Sequence, residues 1–418
     1  MLYEPGKRQA YEEGSKISVR QESSELYKKH YFPLPAEMEH IKPKRMLKQE
    51  QEMLDRLKQA GIDFDVFVSN GLSISSLPYV DIKIPAELNE QEKSALQAGI
   101  DDYGTRFLLA NLDKIIVIKA KSPASRIRIG AITGSRLNIA VITAAPEGSQ
   151  ITVTEYFGTI GEIDSELGIA NIMHVERNAR ASLYQIHNEG KNSIVLSSAS
   201  DAMGENSTIN LNSMYSGGSI THARNFLVAS GPASTVEIND LAFGSGMQKF
   251  DILNHVENGS YNTKVESRSK AVVSDFSACI LKAFARIPHG VPNARSYVYQ
   301  RGISMSKDAH IDALPDMSID ESAVRATHSS AVSPIDADEI FYLMARGIEN
   351  GKARKIILNS FFGEILARFG DLEMRRIASS ILDNRIEGIF SALPNPNAEF
   401  MHVDAAVEGI ESHYKYRK

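Results

Sequence analysis

The chain has 418 residues, 43% hydrophobic and 23% charged, with a formal net charge of −6. That length exceeds what one hydrophobic core usually supports, so two packed units or one elongated repetitive unit with ends is expected. No run approaches the ~18 consecutive apolar residues of a membrane span, and the acidic balance gives no overall field to draw in nucleic acid. No membrane and no nucleic-acid partner are therefore expected. The N-terminus, Met1-Leu2-Tyr3-Glu4-Pro5-Gly6-Lys7-Arg8, lacks the basic-then-apolar layout of a secretory signal, from which a cytoplasmic location is expected.

The first ~70 residues are polar and helix-prone, within an N-terminal mixed region taken as residues 1–100. Met46, Leu47, Met53, Leu54 and Leu57 fall near one stripe and predict an amphipathic helix that stops at Gly61. Pro33, Pro35 and Pro43 predict an irregular approach to it.

From about Lys114 to about Val332 the texture changes to short apolar segments of four to seven residues separated by Gly, Asn, Asp, Ser and Pro. Ile151-Thr152-Val153-Thr154, Thr208-Ile209-Asn210-Leu211 and Thr235-Val236-Glu237-Ile238 read as strands. No helix of ordinary length interrupts Thr143 to Val332, which argues against a doubly wound sheet. Small residues recur, irregularly spaced, at the entry to these strands, as in Ser207-Thr208-Ile209, Ala233-Ser234-Thr235 and Ala294-Arg295-Ser296. Small residues suit crowded corners between stacked rungs. The fold class is therefore read as mainly β, a β-solenoid core over residues 101–332 with helical flanks.

Residues 333–418 read as a helical domain. Ser333 as N-cap, Pro334 at the first helical position and the acids Asp336, Asp338 and Glu339 predict a helix start there. A second helix is expected from Ala353 to Leu366 and a third from Leu372 to Phe390, either bundled on the end of the solenoid or holding apolar surface for a partner.

The order Met317-Ser318-Ile319, Val324-Arg325-Ala326-Thr327-His328-Ser329-Ser330-Ala331, Ile335-Asp336, Ile340-Phe341-Tyr342, Ala345-Arg346-Gly347-Ile348, Ala353 and Phe361-Phe362-Gly363-Glu364-Ile365 closely resembles the end of the SufB/SufD core. Weaker resemblance extends upstream to about residue 115. The resemblance implies a right-handed parallel β-helix, a C-terminal domain that docks the Suf ABC-type ATPase, and a scaffold rather than enzymatic role in building iron–sulfur clusters. It also implies pairing with a SufB/SufD-type paralogue or, as a homodimer, with a second copy. A transient cluster shared at an interface is the implied cargo, and nothing in the sequence decides whether a flavin binds.

On that resemblance His328 is the foremost cluster-assembly and metal-ligand candidate, with His310, Asp312 and Asp316 on neighbouring rungs. Imidazole can ligate iron or move a proton near neutral pH. His328 reads as well as a corner group bonded to a carbonyl, and His310, Asp312 and Asp316 read first as solvated loop residues. Phe341, Tyr342, Arg346, Phe361 and Phe362 are candidates for ATPase docking or for the bundle core. His222 and His255 read as structural strand histidines. The single cysteine, Cys279, reads as a buried strand residue. Ala309 stands where SufB-type sequences place an assembly cysteine, and Ser329 where they carry a Glu, so a SufD-like or divergent member is implied.

No G-x-x-x-x-G-K-[ST] loop occurs, so any ATP dependence is expected to come from a partner. Two other readings compete with the scaffold. A β-helix polysaccharide lyase or hydrolase needs a carboxylate pair in a groove, and the absence of Trp and of a signal argues against it. A purely structural dimerisation subunit would leave His328 idle.

Overall fold

The computed structural model describes residues 32–34, 41–96, 103–119 and 123–392. Residues 1–31, 35–40 and 393–418, on which part of the sequence expectations falls, lie outside the described residues. The first element is α1 (Leu47–Gln59), whose Leu54 and Leu57 are buried, and Gly61 follows it with φ +76°. This is the helix and stop read from the sequence. Then come β1 (Val66–Val68), β2 (Ser73–Ser75), β3 (Val80–Lys83), α2 (Glu90–Ala95) and α3 (Tyr103–Ala110).

The solenoid itself runs through β4 (Lys114–Lys119), β5 (Ala124–Thr133), β6 (Arg136–Ala145), β7 (Gln150–Thr159), β8 (Ser165–Val175), β9 (Arg180–His187), β10 (Ser193–Met203) and β11 (Thr208–Tyr215). It continues through β12 (Ile220–Ala229), β13 (Thr235–Gly244), β14 (Lys249–Asn258), β15 (Lys264–Val273), β16 (Ala278–Ile287), β17 (Arg295–Ser304), β18 (His310–Ile319) and β19 (Arg325–Pro334). Three helices close the described chain: α4 (Ala337–Ala345), α5 (Asn350–Leu366) and α6 (Leu372–Ala392).

From β4 onward every strand pairs in parallel with the strand two further along, so even strands build one sheet and odd strands the other. Together they make a parallel β-solenoid of eight turns, two strands to a turn. Equivalent residues recur after 25 (Lys114 to Ile139) to 32 (Cys279 to Ile311) positions. Most strands are ten residues long, against the four to seven expected. The apolar segments seen in the sequence are only their first halves, because polar residues occupy inward positions further along.

The corners explain how the chain turns without losing its ladder. Gly148, Asn178, Asn206, Ala233, Asn262 and Asn293 each stand two residues before an odd strand with φ between 52° and 70°. Gly and Asn accept this left-handed conformation best. Each donates its backbone N–H to the next turn, Asn178 to Glu205 O at 2.9 Å, Asn206 to Pro232 O at 2.8 Å and Asn262 to Pro292 O at 3.0 Å. The side chain of Asn206 adds a bond from Nδ2 to Asn178 Oδ1 at 2.8 Å.

The lumen is packed by stacked inward residues such as Ile127, Ile139, Val153, Leu167, Leu183, Leu211 and Ile238. The outer face of the odd sheet is covered by α1, α5 and α6, which bury Leu358, Phe362, Ile365, Phe369 and Met374 against Tyr156, Tyr184, Met214 and Phe243. Arg126 fixes the return, reaching Asp371 at 2.8 Å and Glu373 at 2.9 Å. The C-terminal helices therefore fold back along the solenoid and do not bundle on its end. The outer face of the even sheet is covered by α3 and, across β12 and β14, by Phe32.

The expected helix start at Ser333-Pro334 is corrected. The last strand keeps its register through Ser333 and Pro334 opposite Ile303 and Ser304. The N-cap is Asp336, whose carboxylate accepts from Asp338 N at 2.8 Å.

Ala233 is the one corner of this stack with a Cβ and no amide, in a conformation that costs an L-residue roughly 1–2 kcal/mol. Ala233→Asn is expected to raise stability by about 0.5–1 kcal/mol. A shift of the urea midpoint to lower denaturant would refute the corner account.

Candidate functional site

The two ends of the solenoid differ. At the start, β3 pairs antiparallel with β4, while β1 extends the odd sheet alongside β5 and is itself flanked by β2. At the finish, among the described residues, β18 and β19 each have a neighbour on one side only. Their free edge carries exposed apolar groups, Ile319 at 46% and Val332 at 42%. Such an edge is a template for another strand.

His328 lies in β19 opposite Val298, in the inward-facing column, and is exposed only because no further turn stacks on it. His310 begins β18, faces outward and donates from Nε2 to Asp312 Oδ1 at 2.8 Å. The two histidines sit on different faces, and Asp316 lies further along β18. Among the described residues no group of three or more His, Cys, Asp or Glu side chains is placed to hold a metal ion.

Cys279 is fully buried in β16 between Phe250 and Ile311, with Ala309 in the same cluster. Burial drives its thiol well above the ordinary value, so it is no thiolate at neutral pH.

Beside the terminal turn, α4 presents Phe341 at 68% and Tyr342 at 57% exposure. Arg346 lies over the Tyr342 ring at 5.0 Å and donates from Nη2 to its hydroxyl at 3.0 Å. Between α4, α5 and the outer face of β17 and β19 runs a groove of about 810 Å³. On its floor Lys270 pairs with Glu364 at 2.6 Å, donates to Phe361 O at 2.8 Å and lies 4.7 Å from the Phe361 ring. Phe361 is thus half-buried, whereas Phe362 is fully buried against Phe243. Phe362 is a core residue, and as a docking residue it is corrected.

Two charged groups of the interior had no signal in the sequence. On the outer face of the even sheet, Asp251 sits between Arg224 (3.0 Å) and Lys282 (2.8 Å) and accepts from Phe32 N at 3.1 Å, while His222 Nε2 donates to Phe32 O at 2.6 Å. Burial alone would raise the Asp251 carboxyl, yet Arg224, His222 and Lys282 hold it well below the usual range. His255 in the same sheet is packed between Phe226 and Phe284. In the lumen, Glu155 accepts from Asn171 Nδ2 at 3.0 Å and Gln185 Nε2 at 2.9 Å, and Asp240 accepts from Asn254 and Ser269. With neutral partners only, burial pushes both carboxyls up to about 7. A period-2 strand pattern marks such positions as inward but cannot say whether a cation lies opposite.

The fold and site thus define a parallel β-solenoid whose last turn is uncovered among the described residues, beside helices that carry exposed aromatics. The family model described as "SUF system FeS cluster assembly, SufBD core domain" matches residues 131–361, more than half of the chain, and the chain belongs to that family. It is 23% identical over 301 residues to the iron–sulfur cluster assembly protein SufD of Escherichia coli, covering 70% of this chain and 71% of that one. It is 21% identical over 310 residues to SufD of Bacillus subtilis, covering 73% and 69%. An iron–sulfur cluster assembly SufBD family protein of Synechocystis is 20% identical over 288 residues, 66% of this chain and 62% of that one. Among the described residues no helix is long and apolar enough to cross a membrane.

The raised lumen carboxyls set a sign for pH dependence. Below about pH 4 both are protonated folded or unfolded. Between there and about 7 the unfolded chain gives up its protons first, so stability falls as pH rises and levels off above the folded values. The wild type is expected to lose stability from pH 5 to 8, each acid contributing up to roughly 3 kcal/mol. Glu155→Gln with Asp240→Asn should flatten that slope in denaturant titrations, and an unchanged slope would place the titration elsewhere.

Proposed function

We propose that this chain is a SufD-type scaffold subunit of a cytoplasmic iron–sulfur assembly complex, joined to a second β-solenoid through its open last turn and to an ABC-type ATPase through α4 and α5. The observation that carries the reading is the free edge of β18 and β19 set beside the exposed Phe341 and Tyr342. An unpaired parallel edge offers a row of backbone donors and acceptors, and its satisfaction by a paralogue or a second copy would bury Ile319 and Val332. Family membership and the names of the E. coli and B. subtilis relatives support the setting.

The nascent cluster is cargo, held at the joint. Iron in such clusters takes thiolate and, less often, imidazole. This chain offers His328 at the joint, while Cys279 lies deep in the core with its thiol protonated. The thiolates then come from the partner, and His328 adds an imidazole that binds iron or moves a proton near neutral pH.

The docking half is tested by affinity for the ATPase. Phe341→Ala and Tyr342→Ala are each expected to weaken binding roughly tenfold, as truncation of exposed aromatic anchors does. Phe362→Ala should act instead through the fold, costing about 3–5 kcal/mol. If neither exposed aromatic alters binding while the variants remain folded, α4 is not the platform.

The cluster half is tested by anaerobic reconstitution with iron, sulfide, the ATPase and a cysteine-bearing partner, followed by visible absorption. His328→Ala is expected to cut cluster yield about 10-fold, in the range seen when a metal-site group is lost, with the complex still assembled by gel filtration. An undiminished yield would leave the chain a purely dimerising subunit.

A further inference from the structure

One inward column of the odd sheet is polar at every turn from β7 to the end. Register pairs Glu155 with Gln185, Gln185 with Ser213 and Ser213 with Asp240. The column continues through Ser269 and Gln300 to Ser330 on the open last turn, two residues from His328. Rungs in a parallel sheet stand ~4.8 Å apart, so the file is about 29 Å long, with Glu155 and Asp240 about 14 Å from each other. Nearer the strand starts its inward neighbours are mostly apolar, Val153, Leu183, Leu211 and Ile238 among them.

The side chains already form two short chains of hydrogen bonds, one ending on each carboxyl. Ser213 donates to Gln185 Oε1 at 3.1 Å, and Gln185 to Glu155. Asn225 donates to Asn254 Oδ1 at 2.9 Å, and Asn254 to Asp240. Yet Glu155 Oε1, Asp240 Oδ1, Asn225 Oδ1 and Gln300 Oε1 are buried with no hydrogen-bond partner among the described residues. Buried polar atoms of native proteins find partners, and where protein supplies none, ordered water does.

We propose that the lumen holds a file of ordered water along this column, and that through it Glu155 and Asp240 exchange protons with solvent at the open last turn. Each transfer breaks one O–H bond and makes another along the file, so no net charge or co-reactant is needed. The two carboxyls are too far apart to share a cation, and only neutral amides and hydroxyls touch them. The other titratable groups facing the lumen nearby are the Tyr215 phenol and the Cys279 thiol, both shifted upward by burial and neutral, and His187, which stacks between Phe157 and Tyr215 and pairs with Glu189 at 2.9 Å. Burial also keeps protons on Glu155 and Asp240 up to about neutral pH, so the file has acids to serve. The inference goes beyond the assembly role and does not depend on it.

The test is made on the full chain by infrared spectroscopy. The protonated-carboxyl bands are assigned by their loss in Glu155→Gln and Asp240→Asn, and their shift is timed after transfer into D2O. Wild-type bands should shift at least tenfold faster than the strand amides around them exchange. Gln300→Met, which interrupts the file below the open end, should slow both bands at least tenfold, and Ser213→Val should slow Glu155 alone. Acids that exchange no faster than the surrounding amides, or plug variants that fold and leave both rates unchanged, would overturn the proposal. If the plugs do not fold, a high-resolution crystal structure of the wild type decides: water density within hydrogen-bond distance of Glu155 Oε1 and Asp240 Oδ1 supports it, and a dry lumen sinks it.

Discussion

The hydrogen-bond ladder from one turn to the next is the constraint on which the molecule depends. A parallel strand satisfies its backbone only through neighbours on both sides, so a solenoid is complete everywhere except at its ends. Here the first turns are covered by β1 and β3, one continuing the odd sheet and one reversing against the even sheet. The last turn has no such cover among the described residues, and the helices that could have provided it run back over the odd sheet, held by Arg126 to Asp371 and Glu373. The asymmetry follows from where the chain spends its apolar helical faces. Leu358, Phe362 and Phe369 go to the side of the solenoid, and the end is left as edge.

Much of this was legible because local chemistry is repeated. The stripe of Leu54 and Leu57 and the stop at Gly61 gave α1, and short β-branched segments between small corner residues gave a solenoid rather than a doubly wound sheet. The repeat length was not legible, because equivalent residues drift between 25 and 32 positions apart and no fixed period accumulates. The left-handed Asn at the corners carries the regular signal, two residues before β9, β11, β15 and β17, with Gly148 before β7 and Ala233 before β13 in its place. Ser333-Pro334 misled for a physical reason: the same pair that suits a helix start also suits the end of an edge strand, and pairing with Ile303 and Ser304 decides it. The fold-back of α5 and α6 is purely tertiary, since their apolar faces would serve a bundle equally well.

The candidate site divides in the same way. His328 could be singled out by resemblance to the SufB/SufD family, but that it faces the lumen column and is uncovered only by being last is a property of the stack. The interior carboxyls show why burial cannot be read from strand pattern alone. Asp251 stays ionised because Arg224 and Lys282 occupy adjacent turns on the same face, an arrangement that offsets the large cost of desolvating a lone charge. Glu155 and Asp240 face amides and hydroxyls, which cannot offset it, and so they keep their protons instead. The residue that lies one turn away makes the difference, and in sequence it is some thirty positions distant.

The position of Cys279 bears on how a cluster-building assembly would divide its labour. A ligand for nascent iron must reach the joint between subunits and be deprotonated there. Cys279 meets neither condition, since it is fully enclosed by Phe250, Ile311 and the rest of its cluster and its thiol is driven upward by burial. Exposing it would require opening the lumen between β14, β16 and β18, at the expense of the ladder that holds the core together. The groups that reach the open end without such a cost include the inward-column imidazole of His328, the outward His310 and Asp312 of β18, and a row of backbone amides, but no thiol. On the proposed role, this subunit therefore supplies edge, platform and one nitrogen ligand or proton carrier, and the sulfur chemistry resides across the joint.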